Sequence, residues 1–230
     1  MSTPTDRSRS SLPVAALVAT AAAALALALG GGHAAEGHSE DYANAAKHGV
    51  TTQRLALHDE MRRLWDDHIT WTRLFIVSAS HDLPDKQATT ERLLLNQKQI
   101  GNAIKPYYGR AAGARLTALL REHILVAADL LGAAKAGDQP GFERESAAWY
   151  RNAEEIADFL NRANPRNWKR DEMRRMMREH LDLTLAEAVA HLTNHHRADI
   201  RSYNQIHRQI LRMADMLSDG IAAQFPQHFR

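Results

Sequence analysis

Three histidines recur in matching surroundings along this 230-residue chain. They are His68 in "LWDDHITWTRLF", His123 in "LLREHILVAADL" and His180 in "MMREHLDLTLAE". Each follows a bulky apolar pair at positions −4 and −3: Leu64/Trp65, Leu119/Leu120 and Met176/Met177. Position +4 is Thr72, Ala127 or Thr184. Steps of three and four place these residues on one stripe of a helix, so each imidazole is expected to face a core. A buried ionisable group needs a partner. The aligned acids Asp158 and Asp215, and Asn102 at the matching place, are the expected partners. Imidazole with carboxylate is a donor set for zinc, iron, manganese or copper, and helical bundles build such sites from inward side chains. The candidate metal site is therefore His68, His123, His180, Asp158 and Asp215, with Asn102 as a weak member. The competing reading is a polar layer whose hydrogen bonds set helix register and bind nothing. No short ExxH pair of the di-iron kind occurs in the chain.

Further groups extend this set. Glu187 and His191 lie at +7 and +11 from His180 and could enlarge the site. His191 and His195 are four apart, with Asp199 beyond, and could form a surface metal clip. Met173, Met176, Met177, Met213 and Met216 gather near the third histidine. Thioethers suit copper(I), but helical spacing suits core filling equally well.

The elements that must carry these residues are helices. No long period-2 β-branched run appears. Breakers at "HDLPD", "KPYYG", "AGDQPG", "NPRNW" and "TNHH" divide the chain into six helices, near 53–80, 86–104, 110–135, 141–162, 169–193 and 197–223. Asp85 and Asp138 stand where helix starts want a cap. The second stretches "LLLNQKQIGNAI", "WYRNAEEIADFL" and "IHRQILRMADML" also align, with Asn96, Asn152 and Gln209 in register. His123 to Asp158 and His180 to Asp215 are both 35 residues, and His68 to Asn102 is 34. The expected fold is all-α: a six-helix bundle of three helical hairpins with an internal repeat, sharing one core.

Composition narrows the function classes. The chain has no cysteine, which excludes disulfides, thiolate metal sites, iron–sulfur clusters and CxxCH haem attachment. Net charge is +2 with both signs interspersed, so no nucleic-acid partner is expected. "PYYGRAAG" lacks the glycine pattern and lysine of a phosphate loop, so no nucleotide is expected. Residues 1–35 have a polar start with Arg7 and Arg9, an apolar run and then small residues. That layout predicts a secretory signal peptide, with a membrane anchor as the alternative. Residues 36–52 read as a flexible lead-in and 53–230 as the helical bundle domain. Export to a bacterial periplasm is expected, with no membrane association after cleavage.

From Leu64 to Phe225 the chain resembles a family of small, essentially uncharacterised bacterial helical proteins. The resemblance rests on "LWDDHITWTR", "LPDKQATTERLL", "PYYG", "AAKAGD", "WYRNAEEIADFLNRANP", "REHLDLTLAEAVAHL" and "MADMLSDGIAAQFP". Similar sequences carry the label acetylglutamate kinase. This chain has neither the nucleotide loop nor the α/β pattern of such a kinase, and it differs in its export signal. The expected function is binding of a metal ion or small ligand at the internal His/Asp layer, for storage or sensing. The rivals are a structural or interaction bundle and, third, a metal-dependent hydrolase or oxidoreductase using metal-bound water.

Overall fold

The computed structural model describes residues 51–230. The expected signal or anchor segment, and all but the end of the lead-in, lie outside the described residues. Six helices follow one another: α1 (Thr52–Ser80), α2 (Lys86–Ala103), α3 (Lys105–Ala136), α4 (Gln139–Ala163), α5 (Arg170–Leu192) and α6 (His196–Gln224). A 3-10 turn, Pro226–Phe229, closes the chain. The described residues contain no strand. None of their helices is long and apolar enough to cross a membrane.

Local chemistry explains most boundaries. The Thr51 hydroxyl accepts from Arg54 N and starts α1. Asp138 caps α4 as expected, accepting from Gly141 N at 3.1 Å. Asp85 makes no such cap bond. Gly137 ends α3 in the left-handed region, φ 69°, a place where a Cβ would be strained. The "KPYYG" joint is tighter than its composition predicts. Only Ile104 separates α2 from α3, and Pro106 sits in the first turn of α3, where its missing N–H costs nothing. The break falls inside α3 instead, as a kink at Gly109.

The helices form a closed ring in which each packs on its chain neighbours and α6 packs back on α1. Helix α1 also meets α3 and α5 across the interior. The C-terminal ends of α1, α3 and α5 share one end of the bundle. There Lys135 donates to the Ala79 carbonyl at 3.0 Å, and the His81 and His191 rings lie 5.2 Å apart. Trp168, 1% exposed, plugs the opposite end beside Tyr108. One apolar cluster, from Leu57 to Phe229, draws on every helix of the ring.

The repeat has a hydrogen-bond signature. Asn96 donates to Leu64 O at 2.9 Å, Asn152 to Leu119 O at 3.2 Å and Gln209 to Met176 O at 3.1 Å. Each acceptor is the residue four before the hairpin's histidine. The same amide-to-carbonyl bond therefore pins all three hairpins in one register.

Candidate functional site

The three histidines come together. His68, His123 and His180 are 3%, 3% and 4% exposed. The His180 ring centre lies 5.7 Å from that of His68 and 6.4 Å from that of His123. They sit midway along α1, α3 and α5, where the apolar pair at −4 and −3 drives that stripe inward. Trp65 meets His68 edge-on and Trp149 stacks on His123.

Burial dominates the proton chemistry. It pushes His68 well below its usual pKa, with His180 and His123 adding to the shift. It pushes His123 down to about 3, helped by His180, and His180 down to about 4. All three imidazoles are therefore neutral at pH 7. Their tautomers differ. Asn152 Oδ1 can only accept, so His123 donates from Nδ1 at 3.0 Å and keeps its lone pair on Nε2. Gln97 Nε2 can only donate, so His68 accepts at Nδ1, at 3.3 Å, and carries its proton on Nε2. His180 has Gln209 as its neighbouring amide, which opposes the effect of burial on the ring, but no hydrogen bond of regular geometry closes between His180 Nδ1 and Gln209 Oε1. The backbone repeat is threefold, but the protons are not.

The expected acidic partners are elsewhere. Asp158 faces α5, where Arg170 and Arg174 each grip both carboxylate oxygens at 2.8–3.0 Å. Arg170 first, then Arg174, holds its carboxyl well below the usual range. Asp215 faces α1, held by Arg62 at 2.6 and 2.7 Å and by His58 at 3.0 Å. Asn102 is exposed. The His/Asp layer is thus corrected to a His/amide layer. Asp158 and Asp215 are clamps between hairpins. The reason is angular: they lie six residues past Asn152 and Gln209, about 120° away around the helix.

Glu187 and His191 do not extend the layer either. Seven and eleven residues beyond His180 on one helix, they stand roughly 10 and 16 Å along its axis. They belong to a second buried cluster at the loop end of the bundle. Arg73 reaches Glu187 at 2.5 Å and Asp199 at 2.6 Å, and Asp199 accepts from His191 Nδ1 at 3.0 Å. Burial pushes Glu187 up to about 7 against the pull of Arg73, while the nearby Asp199 charge raises it further. Asp199 is also pushed up by burial, but Arg73 and His191 outweigh this and lower it. His195 is exposed and pairs with Thr193 at 2.8 Å, so the expected clip is not assembled.

The aligned Asn152 and Gln209 stand beside His123 and His180, whereas the bond to His68 comes from Gln97, one residue past the aligned Asn96. The apolar residues flanking the aligned amides placed them on the core stripe, which was the available signal. Arg73 was missed. Its counterparts in the other hairpins are Ala128 and Leu185, so the charge itself was the departure to notice.

Chemically, the layer offers neutral imidazole nitrogens in a buried interior. Its ring separations bring the three rings near one centre. Among the described residues, no group of three or more His, Cys, Asp or Glu side chains stands ready in metal-holding geometry. Closing the rings on an ion thus requires side-chain movement, and His68 must present the nitrogen that now carries its proton. Compared with known proteins, the chain matches no family model, no curated protein and no solved structure.

Proposed function

We propose that the bundle binds a divalent transition-metal ion at the histidine layer, with His123 and His180 as principal ligands and His68 joining after a tautomer shift. The observation that carries this reading is the convergence of three buried, neutral imidazoles from three equivalent hairpins. Neutral imidazole is the form that binds metal, and depressed pKa values keep it available in mildly acidic surroundings. The Asn152 amide behind His123 supplies the outer hydrogen bond that orients a ligating ring. Zinc, copper, iron and manganese remain the fitting ions. The N-terminal reading adds export, so the role is binding or storage outside the cytoplasm.

A second reading is a purely structural layer. It is favoured by the repeated amide-to-carbonyl bonds, which set register without any ligand. One experiment separates the two. The full chain is stripped with chelator, offered each metal in turn, dialysed and assayed by elemental analysis. One equivalent retained, and lost in His123→Ala and His180→Ala variants that keep their helical circular dichroism, supports the site. No retention of any of the four metals leaves the structural layer.

A further inference from the structure

One helical turn from the histidines, towards the end where α1, α3 and α5 finish, lies a partly open apolar cavity of about 50 Å³. The repeat creates it. Thr72, Ala127 and Thr184, the +4 residues of the three hairpins, all line it, and all are small. Phe142 and Trp149 from α4, Leu130 from α3 and Ala188 from α5 are among the other wall residues. The two threonine hydroxyls already donate to His68 O and His180 O at 2.8 Å each. Trp149 is 2% exposed, and its indole N–H has no partner.

Volume decides the class of occupant. A cavity of roughly 150 Å³ lined by aliphatic and aromatic groups stays dry and takes benzene or xenon. The space here is about a third of that, too small for a ring and large enough for one atom or diatomic molecule. A resident water wants two to four polar partners, and both threonine hydroxyls on the wall already donate to backbone carbonyls. We propose that this cavity is a binding site for one gas-sized apolar molecule, of the dimensions of xenon or dioxygen, set beside the histidine layer. The site stands whether or not the histidines take a metal, and its guest is held by dispersion.

Xenon is the probe. The full chain, methyl-labelled and metal-free, is titrated with xenon under pressure and followed by NMR. Saturable shifts are expected at the Ala127, Leu130 and Ala188 methyls, with those of Leu64 and Ile210 unmoved. Ala188→Leu fills the space and is expected to weaken the effect at least tenfold. Ala127→Val serves as the second filling variant should the first not fold. The proposal is overturned by unsaturable or uniformly scattered shifts, or by filled variants that respond like the parent. A long-lived water in the cavity that xenon does not displace overturns it as well.

Discussion

At the scale of residues, the imidazoles set the acid limit of the fold. Their folded pKa values lie below the unfolded value near 6.5, with His123 at about 3 and His180 at about 4. The unfolded chain therefore binds more protons below pH 6.5. Their contribution is fully present above that pH and is lost as pH falls towards 4, by up to ~1.4 kcal/mol per pH unit for each ring. Glu187 acts in the opposite sense. Its folded value of about 7 lies above its ordinary 4.5, so its contribution is present below pH 4.5 and lost as pH rises through 7. Three rings outweigh one carboxyl, and urea unfolding is expected to show falling stability from pH 6.5 to 4. His180→Gln should flatten that slope. Glu187→Gln mimics the protonated acid, so it should match the parent at pH 5. At pH 8.5 it should exceed the parent by about 1–3 kcal/mol in the same titration.

At the scale of elements, the seams between hairpins differ. Asp158 ties α4 to α5 and Asp215 ties α6 to α1, each through arginine. The seam between α2 and α3 has no counterpart acid, and the helices close in on glycine instead. A Cβ at Gly101 would lie 2.6 Å from the Gly113 carbonyl and 2.0 Å from Thr117 Oγ1. Gly101→Ala must push α2 off α3 and is expected to cost about 1–3 kcal/mol in thermal or urea unfolding. Within a hairpin, Asn152→Ala removes the partner of a buried His123 Nδ1–H. The expected cost is again about 1–3 kcal/mol, and an accompanying rise in the exchange rate of that ring proton would identify the cause.

At the scale of the molecule, ring closure joins first and last helices through a shared core. Trp65, Trp149 and Trp168 all lie in that one cluster. Tryptophan fluorescence and far-ultraviolet circular dichroism are therefore expected to report one coincident transition. Two separated transitions would show that the hairpins fold independently, as a loosely coupled repeat array does. The odd helices supply the histidines and the even helices supply the amides, so neither half of a hairpin holds the layer alone.

Helix type, the hairpin repeat and the inward turn of His68, His123 and His180 were legible in the sequence. Each follows from local periodicity, which the chain repeats three times with different loops. The choice of partner was not legible. Equal spacing to Asp158 and Asp215 tests the repeat, not the contact, because every aligned pair keeps its spacing whichever way it faces. Which side of α4 or α6 meets the histidines depends on how the helices are rotated about their axes when the ring closes. A difference of six residues, small in sequence, turns a side chain about 120° away from the core. The pairing of Arg73 with Glu187 and Asp199, more than a hundred residues away, and the cavity below the histidines likewise exist only once three hairpins pack together.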